Sequence, residues 1–206
     1  IIFGGTPSLS RQGLGSIATL MLNVAAGACG DAAIAGMSIV TRISFFTYAM
    51  VIGLGQGFQP LCGFCYGAKL YGRVKEAFFF CIKCGTVFLS VCALLGFIFS
   101  TSIISIFRDD AAVVAVGSVA LRWQVLSFPL VASIVLTNML MQTIRKPVRA
   151  NIVAAARSGL FFIPLIFILP YFFGLLGVEL CQMWADCCSF AVAVPIAWSA
   201  FWAMRR

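Results

Sequence analysis

Asp186 is the one acidic residue placed well inside an apolar run of this sequence. A carboxylate in hydrocarbon is costly, so such a residue either serves a cation or substrate pathway or pairs with a basic or polar group on a neighbouring segment. It lies in a stripe with Glu179, Gln182 and Ser189, whose spacing of three and four residues puts them on one helical face. Similar stripes recur elsewhere: Gln12, Ser16, Thr19 and Asn23; Thr41, Ser44 and Tyr48, followed by Gln56 and Gln59; and Asn138 with Gln142, eleven residues after Ser127. Two readings fit these stripes. Polar side chains bond helices to one another in a bilayer, or they line a water-filled substrate cavity. Several stripes in one chain favour the cavity.

Four basic residues also fall within apolar stretches: Arg42, Lys83, Arg122 and Arg157. Lys83 and Arg157 stand within two turns of one end of their segments, and Arg42 and Arg122 lie near the other end, so all four can snorkel toward water. Asp186, Arg42 and Arg157 are the intramembrane charges singled out for function. There is no histidine, which removes histidine metal sites and histidine general bases. Cys62-x-x-Cys65 and Cys81-x-x-Cys84 have the spacing of a zinc ribbon. Ribbon cysteines normally sit on turns, whereas these lie in or beside apolar helices, where Cys acts as a small apolar residue. No metal ligand and no catalytic residue is therefore assigned. With a single membrane acid and no convergent nucleophile and base, the chain is expected not to be an enzyme.

The elements that must position these groups follow from composition. Of 206 residues, 62% are hydrophobic and only 10% charged, with mean hydropathy +1.07. A soluble domain carries about 25% charged residues, so this is an integral membrane protein. A helix needs about 20 apolar residues to cross the hydrocarbon, and six such spans are expected at residues 14–30, 34–61, 77–106, 119–144, 152–173 and 175–204. Alternating ten-residue strand patterns are absent. The predicted fold is an all-α polytopic helix bundle, with residues 1–206 forming a single membrane domain.

Charge in the connectors sets orientation. Arg11, Lys69, Arg73, Lys75, Arg145, Lys146, Arg149, Arg205 and Arg206 flank one side, with Glu76 the only acid among them. The opposite connectors hold Asp31, Arg108-Asp109-Asp110 and Glu179. Basic residues mark the cytoplasmic side, so both ends are expected in the cytoplasm. The net charge of +8 thus reflects membrane orientation and not nucleic-acid binding. Pro129, Pro164 and Pro195 fall inside spans and favour kinks. The chain starts at Ile1 without a Met, which reads as a fragment.

Residues 53–77, GLGQGFQPLCGFCYGAKLYGRVKEA, resemble the multidrug and toxic compound extrusion (MATE) family, in its MepA-type branch of bacterial exporters. So do PSLSRQG at 7–13, GDAAIAGMSIVTRI at 30–43, Phe107-Arg108-Asp109-Asp110, and QTIRKPVRANIVAAARSGLFFIPL at 142–165. The resemblance covers nearly the whole chain and implies a twelve-span transporter of two six-helix lobes, of which this would be the C-terminal one. Its partner would be the missing N-terminal six-helix lobe, within a bacterial inner membrane and its lipids. It implies export of small cationic or amphipathic drugs by alternating access, with Na⁺ or H⁺ as the coupling ion and no organic cofactor. Some relatives place coupling carboxylates in the seventh and tenth spans. Here 14–30 and 119–144 contain no acid, which moves the expected ion site to the missing lobe. On that reading Gln12, Asn23, Gln59, Asn138 and Gln142 line this lobe's side of the cavity. The alternatives are a lipid-linked-sugar flippase of the same wider superfamily, or a non-transporting scaffold or half-transporter.

Overall fold

The computed structural model describes residues 2–27 and 30–204, with side chains described from residue 13 onward apart from Ser158. It is helical: α1 (Ile2–Gly27), α2 (Asp31–Gly67), α3 (Tyr71–Ile98), α4 (Ser100–Phe107), α5 (Ala111–Thr143), α6 (Pro147–Ala155), a π-helical turn (Ala156–Leu160), α7 (Phe162–Phe173) and α8 (Leu175–Ala203). Among the described residues, α2, α3, α5 and α8 are long and apolar enough to cross a membrane, and Gly13–Gly27 and Phe162–Phe173 are shorter apolar helices. Each of these six falls largely within one of the six stretches expected as spans, and four of them have the length and composition to cross.

Several boundaries differ from the sequence expectation, for one physical reason. Hydropathy marks the part of a helix that lies in hydrocarbon, while the hydrogen-bonded helix continues into water. Hence α2 runs to Gly67, α3 starts at Tyr71, and α6 starts at Pro147, whose fixed φ and missing N–H suit a first helical turn. The third span is broken at Phe99 and continues as α4. Pro164 falls in the first turn of α7, where its missing donor costs little, whereas α5 and α8 run through Pro129 and Pro195. Glu179, counted both with a connector and with the polar stripe of the last expected span, lies inside α8 and is buried.

Helix α5 is the axle. From Val131 to Met141 it is buried on nearly every side, so it needs neighbours all round, and α2, α3 and α8 supply most of them. Small residues set the spacing. A Cβ added to Gly36 of α2 would lie 3.1 Å from the Gly117 nitrogen and 3.4 Å from the Val113 carbonyl oxygen. Further along, Gly63 faces Thr143, so α2 and α5 are parallel. Gly85 and Gly96 of α3 meet Ala132 and Val125 in reverse order, which makes α3 antiparallel to α5. Between α7 and α8 the chain reverses on a single residue, Gly174, at φ 56°, a left-handed conformation that glycine adopts without strain.

Cys62, Cys65 and Cys81 are buried in a cluster with Phe58, Phe78 and Leu140, and Cys84 is exposed. Their environment is the packed interior of two helices.

The α2–α5 contact is directly testable. Gly36→Val forces two backbones apart and is expected to cost about 1–3 kcal/mol, read as a lower midpoint of thermal unfolding in detergent. An unchanged midpoint would show that the two helices do not approach this closely.

Candidate functional site

Asp186 is fully buried, and three elements converge on it. Arg157, in the π-helical turn, donates from Nε to Oδ1 at 2.8 Å. Gln182, one turn earlier on α8, donates from Nε2 to the same oxygen at 3.2 Å. Ser127 of α5 donates from Oγ to Oδ2 at 2.8 Å. The Ser127 hydroxyl also lies 2.9 Å from the Gln124 carbonyl, but it has one proton, and the carboxylate is the stronger acceptor.

The network then closes on itself. Gln124, a turn before Ser127, donates from Nε2 to the Tyr48 hydroxyl at 2.9 Å. The Arg157 guanidinium in turn sits over the Tyr48 ring, 4.6 Å from its centroid, close enough for cation–π attraction. Tyr48 packs edge-on against Phe128 at 5.2 Å. Thus α2, α5, α8 and the π-helical turn are joined in one ring of polar contacts.

Local backbone geometry explains how Arg157 arrives there. Counting from Pro147, it is ten residues into its rod, about 15 Å along the axis at 1.5 Å per residue. The first turns of that rod are polar, yet Arg157 does not snorkel as the apolar pattern suggested, because its guanidinium is held inside the bundle by Asp186 and the Tyr48 ring. The π turn is closed by Phe161 N–H to the Ala156 carbonyl at 3.2 Å. Such turns insert an extra residue, which rotates the later part of the helix by about one position, and they are frequent at functional sites.

Beside this ring lies a cavity of about 210 Å³ between α1, α2, α5, α8 and the π turn. Its polar wall comes from Thr19, Thr41, Ser44, Tyr48, Gln124, Arg157 and Gln182, and its apolar wall includes Leu22, Met37, Val40 and Phe162. Arg157 is 21% exposed while Asp186 is 0% exposed, so the guanidinium faces the cavity and the carboxylate stays behind it.

Four of the five residues expected to line a cavity lie off the wall of this one. Asn138 donates from Nδ2 to the Ala150 carbonyl at 2.7 Å, and Gln142 donates from Nε2 to Asn138 Oδ1 at 2.6 Å, so together they clamp α5 to α6. Asn23 is half-buried on α1 but off the cavity wall, and Gln59 is half-buried toward the far end of α2. The side chain of Gln12 lies outside the described residues. Arg42 is exposed on α2. Arg122 donates from Nε to the buried Ser100 Oγ at 2.9 Å, tying α5 to α4. Gln124 is not among the residues that the polar stripes single out, although its position three before Ser127 places it on the same helical face.

A family model described as MatE matches residues 7–168. The chain belongs to the MatE family. Over 175 residues this MatE chain is 28% identical to the multidrug export protein MepA of Staphylococcus saprophyticus, an alignment covering 84% of the chain and 38% of that protein. MepA of Staphylococcus aureus strain N315 is 29% identical over the same shares. Among solved structures, the bent form of the Vibrio cholerae MATE transporter VcmN superposes with a TM-score of 0.90 at 18% identity, covering 97% of this chain and 45% of that one. A MOP-superfamily transporter from Pyrococcus furiosus superposes at 0.92 and 18% identity, covering 98% and 46%. The MatE chain therefore has the fold of part of a transporter and spans less than half the length of these relatives. Those proteins are exporters and transporters, not enzymes.

Two measurements check the site. Asp186→Ala leaves a buried guanidinium unpaired and is expected to cost about 3–5 kcal/mol, while Arg157→Met with Asp186→Leu recovers most of that loss. Unfolding midpoints of the single and double variants would decide it; simple additivity would mean the pair is not coupled. Glu179 poses the opposite case, since it is 3% exposed and its Oε2 has no partner. Glu179→Leu removes an unsatisfied buried group worth about 1–3 kcal/mol and should raise the midpoint. A fall would mean that this carboxyl is bonded after all.

Proposed function

We propose that the chain forms the C-terminal lobe of a two-lobed multidrug efflux transporter, exporting amphipathic and cationic compounds by alternating access in exchange for Na⁺ or H⁺. The observation that carries this reading is the alignment to MepA, which uses 84% of this chain and 38% of that export protein. A helix bundle matching one portion of a transporter, with a cavity at its interior, is what one lobe would look like. On this reading the N-terminal lobe is the chain's partner, and the two rock against each other about a site at their interface.

The same reading sets location and orientation. The turns carrying Lys69 and Arg145 would face the cytoplasm of a bacterial plasma membrane, as the excess of Lys and Arg at that end requires. The coupling-ion site belongs to the N-terminal lobe. Asp186, the intramembrane acid at mid-bundle, is held by Arg157, Gln182 and Ser127. A carboxylate so engaged stabilises this lobe and leaves little coordination for a passing cation.

The test is drug accumulation in cells. Co-expression of this chain with the N-terminal lobe of a MepA-type exporter should lower ethidium accumulation in a pump-deficient bacterium, and the lowering should vanish when the proton and sodium gradients are collapsed. Both lobes present in the membrane with ethidium accumulation unchanged would overturn the proposal.

A further inference from the structure

The wall of the cavity carries one formal charge among its described residues, the guanidinium of Arg157, and its remaining polar groups are neutral. Asp186 offsets that charge from behind the wall, so the cavity meets the guanidinium end of the ion pair. The carboxylate is fully buried, and its two oxygens are occupied by Arg157, Gln182 and Ser127. Arg157 reaches it with Nε, whereas a guanidinium has four further N–H donors on its terminal amino groups, in a fork that fits a carboxylate.

Ser44 supplies a second, independent observation. On α2 the hydroxyls of Thr41 and Thr47 donate back to the carbonyls of Met37 and Ile43, at 2.8 and 3.0 Å. The Ser44 hydroxyl, between them in sequence, is buried on the cavity wall and has no partner. Buried polar groups are nearly always satisfied, so a lone hydroxyl on a cavity wall marks where a ligand's polar group belongs. The other surfaces, Met37, Val40 and Phe162, suit a flat apolar body.

We propose that this cavity binds an amphipathic aromatic carboxylate, with the carboxylate on the terminal amino groups of Arg157 and the Ser44 hydroxyl and the ring system against Met37, Val40 and Phe162. This deepens the efflux reading and rests on it in taking the cavity as a substrate site. It adds that acidic aromatic compounds find their charge partner in this lobe. A cationic ligand finds no acidic side chain on this wall among the described residues, so its charge partner in the assembled transporter would come from the other lobe.

The experiment is isothermal titration of the purified full chain in phosphatidylcholine nanodiscs with 2-naphthoate and with neutral 2-naphthamide, empty nanodiscs serving as background. Naphthoate is expected to saturate and to bind about tenfold or more tightly than the amide, the range of a charge-assisted contact. Arg157→Gln combined with Asp186→Asn removes both charges without stranding either, and should bring the two probes to within about twofold of each other. Ser44→Ala, which leaves the ion pair in place, should weaken naphthoate by about threefold or more. Equal affinity for the two probes, no saturable binding of either, or unchanged discrimination in both variants would overturn the proposal. Ethidium export that persists while naphthoate fails to bind would remove this inference and leave the efflux reading; saturable naphthoate binding without ethidium export would do the reverse.

Discussion

A carboxylate in the middle of an apolar bundle constrains nearly everything around it. Moving one such ion out of water costs several kcal/mol even after the surroundings relax, and one charge-assisted hydrogen bond returns only about 1.5–3. No single neighbour is therefore sufficient for Asp186. Its partners come from α5, from α8 itself and from the π-helical turn, so three elements have to meet at one point. Arg157 carries a desolvation cost of its own, reduced by the Tyr48 ring beneath it and by its partial exposure to the cavity. The ring of contacts through Gln124 then ties α2 to the same point.

This convergence explains why α5 is central. A helix that offers Ser127 to α8 and Gln124 to α2 must touch both, and α3 and α4 cover what remains. Such a helix has no lipid-facing stripe along its middle, and its close neighbours are admitted by glycines on the partner helices, among them Gly36, Gly85 and Gly96. Packing of small residues, with no hydrophobic gain over lipid, is the usual basis of helix association in membranes. Here it is supplemented by a few directed bonds, including Asn138 to the Ala150 carbonyl and Arg122 to Ser100.

Much of this was legible in the residues. Hydropathy located six apolar rods, and the three-and-four spacing of Glu179, Gln182, Asp186 and Ser189 placed Asp186 on a polar face. Its partner was not legible, because Arg157 looked close to a helix end when only the apolar part of the rod was counted. Closeness to an end says how a cation could reach water, not that a carboxylate on α8 lies 2.8 Å from it. Glu179 belongs to the same stripe as Asp186 and to the expected last span, although its charge at the edge of the apolar run also counted it with a connector; the reversal at Gly174 starts α8 before it. The stripe of Asn138 and Gln142 was visible, but periodicity shows which face is polar and not whether that face meets a cavity or another backbone. At those two residues it meets the backbone of α6.

The single-residue reversal at Gly174 has a mechanical consequence. Just beyond it, the backbone of Gly177 lies so close to Leu169 and Pro170 that not even a methyl group fits between them. α7 and α8 thus behave as one stiff hairpin, unable to scissor about their joint. Compliance in that part of the lobe falls instead to the π-helical turn, where the regular ladder between α6 and α7 is already interrupted. Arg157 stands at that soft point while its carboxylate partner stands on the stiff hairpin. Bending of the rod at that turn would change the distance between the two charges and shift the cavity wall with it.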